Sequence, residues 1–139
     1  MTSTVLSPVQ ERGRAALDKL GLPTRRQEAW RLTDLKRLEA LAGLPLSSAA
    51  PSPELPSVAA GVSRIVLDGQ SDPLNSVDLP DGVSVLSPAE LEQALGHTLD
   101  RCGCADSWPV ELNHASARQV LALRVRGAVP PLELVLSGA

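Results

Sequence analysis

Phenylalanine and tyrosine are absent from this 139-residue chain, and Trp30 and Trp108 are its only large aromatic side chains. An RNA-binding surface of stacked aromatic residues is therefore excluded, and so is any reaction that requires a tyrosine hydroxyl. Because hydrophobic residues still make up 43% of the chain, the core has to be built from Leu, Val and Ala. The length suits a single ordinary domain.

A strong net charge and long apolar runs are also missing. The chain has 13 basic and 16 acidic side chains and a formal net charge of −3, which argues against non-specific binding of nucleic acid. No apolar run approaches the ~20 residues of a membrane span. The N-terminus lacks the basic start and apolar stretch of a signal peptide, and the two cysteines form no disulfide framework. We therefore expect a cytoplasmic protein.

Charge is nevertheless unevenly distributed. Residues 1–42 carry eight basic and five acidic side chains, whereas residues 43–139 carry five and eleven. Five cations lie close to Trp30 in the sequence: Arg25, Arg26, Arg31, Lys36 and Arg37. Two interpretations are open. Trp30 and the cations form a partner-binding patch, since Trp and Arg are common at interface hot spots, or Trp30 packs inside and the cations are simply solvated.

The N-terminal pattern predicts a first helix over residues 8–20. Ser7 as a cap and Gln10 three residues later are typical of a capping box. Gly13 is expected to weaken the middle of this helix by about 1 kcal/mol relative to Ala. Gly21 is expected to end the helix in a left-handed conformation.

A second helix is predicted to begin near Arg25, because Thr24 and Gln27 form another candidate capping box. Thr33-Asp34 is expected to divide it into two short helices, since both side chains compete for backbone donors. Gly43-Leu44-Pro45 is expected to end the second of them.

These features divide the chain into three parts. Residues 1–44 are predicted to be an N-terminal helical region. Residues 45–60, with four Pro, four Ser and four Ala, are predicted to be a linker. Residues 61–139 are predicted to be a small α/β segment that ends in the first strands of a larger β domain.

Short strands are predicted in the last part from β-branched runs and alternation. They are expected at Ile65-Val66-Leu67, at Val77 and Leu79, at Val83 and Val85, over 120–126 and over 132–136. Between them, Ser87-Pro88-Ala89-Glu90 predicts a capped helix that stops at Gly96, and a short helix after Pro109 is expected to include Asn113-His114-Ala115. The predicted fold class is α+β.

The strands over 120–136 have an apolar face and no partner sequence after them. An open sheet edge of this kind is normally avoided because it promotes aggregation. We therefore expect the sequence to be the N-terminal fragment of something longer. We also expect the chain to form a homodimer through this edge.

Cys102-Gly103-Cys104, flanked by His97 and His114, is the most evident candidate for chemistry. A structural zinc site needs four such ligands, but the spacing matches no familiar zinc pattern, so two unligated thiols are predicted. The alternative is a stand-alone small metal-binding domain that uses Cys102 and Cys104.

Catalytic patterns are weaker still. The sequence has two His and no G-x-S-x-G elbow, and Glu90 and Glu92, two apart on a helix, do not face each other. The glycines are isolated turn or cap residues rather than a phosphate-binding loop. We therefore predict no catalytic, cofactor-binding or metal-ligating residue and no enzymatic activity.

The segment from Leu22 to Leu35, LPTRRQEAWRLTDL, resembles the N-terminal signature of SufD proteins, which belong to the SufB/SufD family of iron–sulfur cluster assembly proteins. The matching positions are Leu22, Pro23, Arg26, Glu28, Trp30, Arg31, Thr33, Asp34 and Leu35, while Leu32 replaces the usual aromatic residue. Leu112-Asn113-x-Ala115, followed by a strand, a turn, Pro131 and another strand, resembles the point where the β-helix of that family begins.

The resemblance implies a non-catalytic scaffold subunit that works with SufB and with the SufC ATPase, and whose complete assembly builds an Fe–S cluster. It implies that the strands of this chain are the start of a β-helix-type sheet. It also implies that the β-helix core and the region that meets SufC come later in family members. No cluster ligand carries over onto this chain, and Cys102 and Cys104 match no family site.

Overall fold

The computed structural model describes residues 5–42 and 54–137. Within these residues it contains four α-helices, one short 3-10 helix and four strands, so the predicted α+β class is confirmed. The helices are α1 (Leu6–Leu20), the 3-10 helix (Glu28–Trp30), α2 (Leu35–Ala42), α3 (Pro88–Arg101) and α4 (Trp108–Ser116). The strands are β1 (Ser63–Leu67), β2 (Val83–Val85), β3 (Leu123–Val125) and β4 (Leu132–Leu136).

Helix α1 begins earlier than the sequence predicts. Val5 is its N-cap residue and no side chain caps the helix, so the predicted capping box of Ser7 and Gln10 is wrong. The physical reason is burial: Val5 packs into the core, which draws Ser7 into the first turn of the helix. The Gln10 side chain instead donates to the carbonyl oxygen of Ala117 at 2.7 Å.

The end of α1 and the break at Thr33-Asp34 are confirmed, but the helix predicted from Arg25 is wrong, because residues 25–27 form a turn and only the 3-10 helix Glu28–Trp30 follows. Gly21 has a φ of 64°, and its N–H donates to the carbonyl of Leu17. Only half of the second capping box forms, because the N–H of Thr24 donates to Gln27 Oε1 and a 3-10 helix follows. A separate helix, α2, then begins after Asp34. The predicted helix end at Gly43-Leu44-Pro45 lies outside the described residues.

The strands form two small sheets. β1 pairs in parallel with β4, with Ile65 opposite Leu134, and β2 pairs antiparallel with β3, with Ser84 opposite Arg124. The strand predictions at 65–67, 83–85 and 132–136 are confirmed, and the strand predicted over 120–126 is limited to Leu123–Val125.

Two local predictions in this part are wrong. Val77 and Leu79 form no strand, because Asp72 holds the preceding residues in a turn by accepting the N–H of Leu74 at 3.0 Å. Helix α3 does not stop at Gly96 but continues to Arg101. The left-handed residue after the helix is Gly103, with a φ of 68°, so the helix ends there rather than at the earlier glycine.

The helix predicted after Pro109 is confirmed as α4. It packs against α1, which is the most extensive contact between two elements. A small core of Val5, Leu86 and Ala122, with Leu91 and Val120 against it, lies where the start of α1 meets the strands. Residues 54–60, the described part of the predicted linker, contain no helix or strand.

Candidate partner-binding surface

The two tryptophans contact each other. Their ring centroids are 6.3 Å apart and the planes are inclined at 84°, an edge-to-face pair. Trp108 is the first residue of α4 and is buried, while Trp30 closes the 3-10 helix and is half-buried. Trp30 therefore packs against the helical layer, as the second of the two sequence interpretations holds.

A cleft of about 340 Å³ lies beside this pair. One wall comes from the end of α1 and the 3-10 helix, and the other comes from the loop between α3 and α4. Its lining is mixed: Pro23 and Ala29 face Asp106 and Ser107 across the opening. The tryptophan pair thus joins the N-terminal residues to the second half of the chain.

The five cations near Trp30 lie on the outside. We define the basic face as residues 22–42, whose cations are all exposed: Arg25, Arg26, Arg31, Lys36 and Arg37. Arg31 pairs with Glu28 at 3.6 Å and Arg37 pairs with Asp34 at 3.5 Å, both on the surface. Exposed pairs of this kind contribute little to stability.

The basic face is also poorly covered by the rest of the described chain. Helix α2 has no buried residue, and none of the main packing contacts between elements involves it. The side chain of Leu32 is 92% exposed, and Leu22 and Leu41 are also exposed. This face therefore combines unused apolar side chains with positive charge.

The cysteine motif lies at the end of α3. Cys102 is the C-cap residue, and the positive φ of Gly103 turns the chain so that Cys104 follows closely. Both thiols are free. The pKa of Cys104 is raised above its ordinary value, first because its thiol hydrogen-bonds to Cys102 and then because a second thiolate beside the first would be repelled.

The structure does not bring the four candidate metal ligands together. His97 is exposed on α3, whereas Nδ1 of His114 lies on α4 within 3.2 Å of Glu111 Oε2. Over residues 5–42 and 54–137, no group of three or more His, Cys, Asp or Glu side chains has the geometry to hold a metal ion. The alternative of a metal-binding domain therefore gains no support from the positions of these residues.

A buried ionic cluster joins α1 to α4, and the sequence analysis missed it. The carboxylate of Glu111 is 1% exposed, and its Oε2 accepts from Arg12 Nη1 at 2.8 Å. Nδ1 of His114 lies 3.2 Å from Arg12 Nη1 as well, so its role as donor or acceptor depends on the tautomer. The sequence feature that could have indicated this cluster is the spacing of Glu111 and His114, three residues apart on a predicted helix. No feature close to them in the sequence identifies Arg12 as their partner.

Glu90 has a structural role. It forms the predicted capping box with Ser87, and its Oε1 accepts from Arg124 Nη1 at 2.7 Å, which ties α3 to β3. These hydrogen bonds, first those to Ser87 and then that to Arg124, lower the pKa of Glu90 from 4.5 to about 2. Glu92 is exposed and takes no part in this arrangement.

A separate groove has a volume of about 890 Å³ and is mainly apolar. Leu74, Val77 and Leu79 form one side, and Val85 and Val120 are on the other. The nearest ionised groups have local partners, as the capping box of Glu90 shows. Ser87 and Glu90 both line the groove, with the Ser87 hydroxyl donating to Glu90 Oε2 at 2.9 Å, but both side chains are engaged in the capping box of α3.

Comparison with known proteins gives no neighbour: no protein-family model, curated protein or solved structure matches the chain. None of the helices in the described residues is both long enough and apolar enough to cross a membrane.

Proposed function

We propose that this chain is the N-terminal part of a scaffold subunit of the SUF iron–sulfur cluster assembly complex. Its role is protein–protein interaction rather than catalysis, it acts in the cytoplasm, and its partners are SufB and SufC. The cluster is the product of the complete complex and not a resident group of this part. The proposal rests on the two stretches that resemble SufD proteins, residues 22–35 and 112–115.

The main structural support for the proposal is the contact between Trp30 and Trp108. The two stretches are about eighty residues apart in the sequence, yet the first reaches the helix that holds the second, because Trp30 contacts Trp108 at the start of α4. A chance likeness of two separate segments would not require the first to contact the helix that holds the second. The contact gives the signature tryptophan a physical role, which is to attach the N-terminal region to α4.

The strand arrangement also supports the proposal. β4 follows the second stretch and pairs in parallel with β1. Parallel strands stacked along one direction are the repeating element of a β-helix. Within the described residues β4 has no strand on its other side, so a further parallel strand is able to add there.

The experiment is affinity purification of the protein from its own organism. A tag placed before Met1 at the chromosomal locus is expected to recover SufB and SufC in constant ratio, together with any polypeptide encoded after Ala139. Deletion of the gene is expected to lower the activity of Fe–S enzymes without lowering the amounts of their polypeptides. Recovery of neither SufB nor SufC, with Fe–S enzymes unaffected, would refute the proposal.

A variant at Trp30 sharpens this test. Trp30→Ala removes the contact with Trp108 and is expected to reduce recovery of SufB and SufC by loosening the N-terminal region. Val58→Ala is the control, since Val58 is an exposed apolar residue that lies outside the basic face and does not contact Trp108 in the tryptophan pair. Circular dichroism of both purified variants separates loss of attachment from loss of folding.

A further inference from the structure

The basic face, residues 22–42, is mostly exposed in the described chain. We propose that it is a docking surface for an acidic protein face with apolar side chains at its centre. The inference rests on the proposed function and deepens it, because it names the part of this subunit that meets the rest of the assembly complex. Three observations lead to it: exposed leucines, cations without an acidic partner in the described residues, and a helix with no buried residue.

The apolar component is concentrated in a short segment. Leu32 is 92% exposed and Leu41 is 60% exposed, while Leu38, three residues before Leu41 and on the same side of α2, is half-buried. Single exposed leucines are normal on protein surfaces, but here they accompany a helix with no buried residue at all. The apolar side of α2 is therefore covered only in part by the rest of the described chain.

The charge of the basic face is only partly compensated, since its five cations face three carboxylates. Glu28 pairs with Arg31 and Asp34 pairs with Arg37, while the exposed Glu39 forms no ion pair within the described residues. Within the described residues, Arg25, Arg26 and Lys36 have no acidic partner. A partner that supplies carboxylates would complete these pairs, and complementary charge of this kind mainly accelerates association and selects the partner.

Other occupants fit the face less well. Base stacking needs an outward aromatic ring, but Trp30 is turned towards Trp108. The rest of the chain is acidic and would repel both nucleic acid and anionic lipid. An acidic protein surface is the occupant that satisfies both components.

The experiment measures binding of the purified protein to the SufB–SufC complex of the same organism, at low salt and at ~0.15 M salt. The test variant R25Q/R26Q/K36Q removes the three unpaired cations. Its control, R14Q/K19Q/R126Q, removes the same number of charges from exposed cations outside the basic face. For the apolar component, L32S is compared with V58S, because Val58 is an exposed residue of the segment over 54–60.

We expect R25Q/R26Q/K36Q to bind at least about tenfold more weakly at low salt and to lose most of the salt dependence. L32S is expected to weaken binding several-fold at both salt concentrations. Both controls are expected to bind like the unsubstituted protein. Thermal unfolding of every variant checks that folding is intact, which is expected because the substituted side chains are exposed.

The outcomes separate this inference from the function it rests on. If the unsubstituted protein does not bind SufB–SufC, the proposed function fails and the inference fails with it. If it binds and R25Q/R26Q/K36Q binds equally well, only the docking surface is wrong. Equal weakening by the two triple variants would mean general charge attraction and would also reject it. Binding to vesicles of equal parts phosphatidylserine and phosphatidylcholine, without binding to SufB–SufC, would replace the protein partner with a membrane.

Discussion

Arg12 of α1 and Glu111 of α4 form an ion pair across the most extensive helix contact of the molecule, with Nη1 and Oε2 2.8 Å apart. The two side chains differ in environment, since Glu111 is 1% exposed and Arg12 is 32% exposed. Burying a carboxylate without a partner is costly. The pair therefore fixes how α1 lies on α4.

We expect Arg12→Met to lower the free energy of unfolding by about 3 kcal/mol, because it removes the cation from the buried carboxylate of Glu111 and leaves only the contact with His114. The double variant R12M/E111L removes both charges and is expected to recover most of that loss. Urea unfolding followed by circular dichroism measures both values. If R12M alone is as stable as the unsubstituted protein, the pair does not hold the helices together.

Gly13 gives a second test of the same contact. An alanine at an interior helix position normally adds about 1 kcal/mol of stability over glycine. At Gly13, however, the new Cβ would lie 2.8 Å from the carbonyl oxygen of Glu111 and 2.8 Å from Cβ of His114. We therefore expect Gly13→Ala to destabilise the protein by about 1–3 kcal/mol, the usual cost of overpacking.

The matched control for Gly13→Ala is Gly96→Ala in α3. A Cβ at Gly96 would have no heavy atom of another group within 4 Å, so only helix propensity changes. Thermal unfolding is expected to show a lower Tm for Gly13→Ala and a higher one for Gly96→Ala. Stabilisation by both substitutions would contradict the close approach of α1 and α4.

The capping box of α3 predicts a pH dependence. The pKa of Glu90 falls from 4.5 to about 2 on folding, so its contribution to stability is present above pH 4.5 and is lost as the pH falls towards 2. Glu90→Gln is expected to have a lower Tm than the unsubstituted protein at pH 7. The difference in Tm between the two proteins is expected to disappear as the pH falls from 4.5 to about 2. Glu92→Gln is the control, and a pH-independent effect of Glu90→Gln would contradict the assignment.

One edge of β4 has no strand beside it in the residues that the structure describes, and self-association through this edge remains a prediction. Ser63 donates to the carbonyl of Pro131, and the N–H of Ser137 donates to the carbonyl of Leu67. Along a strand of a parallel pair, the N–H and C=O groups of successive residues point alternately to the two sides. The N–H and C=O groups of Leu132, Leu134 and Leu136 therefore point away from β1. Leu134 is 52% exposed and Leu136 is 81% exposed.

Two copies of β4 are able to pair antiparallel about Leu134. This register places Leu132 opposite Leu136 of the other copy, satisfies the outward backbone groups and places Val135 opposite Glu133, which already pairs with Arg64. Hydrogen exchange is expected to show concentration-dependent protection at Leu132, Leu134 and Leu136. A monomer at the highest attainable concentration would contradict the prediction.

Local patterns predicted local structure well. The Ser87 capping box and the Gly21 stop were correct because every residue involved lies within one helical turn of the others. The capping box predicted at Ser7 was wrong because Val5 is buried in a core formed with residues far away in the sequence. The helix end predicted at Gly96 was wrong because a glycine inside a helix does not by itself end it. A local rule holds until burial against a remote element outweighs it.

Long-range features were out of reach for the same reason. Nothing in the pattern of α4 reveals that Glu111 is buried, since the residue that makes its burial tolerable is Arg12, far away in the sequence. The parallel pairing of β1 with β4 was equally hidden. For Cys102 and Cys104 the local pattern suggested more than the structure shows. Their spacing made them candidate metal ligands, but in the described residues His97 and His114 do not join them in a group that could hold a metal ion.

The parallel pairing of β1 with β4 also affects how the chain folds while the ribosome synthesises it. Arg64 of β1 and its cross-strand partner Glu133 are separated by 69 residues. A ribosome that adds ~5–20 residues per second therefore needs about 3–14 s to make β4 after β1 has been translated. During that interval β1 emerges with both edges bare, so the nascent chain is exposed to wrong strand partners and is a natural client for a chaperone.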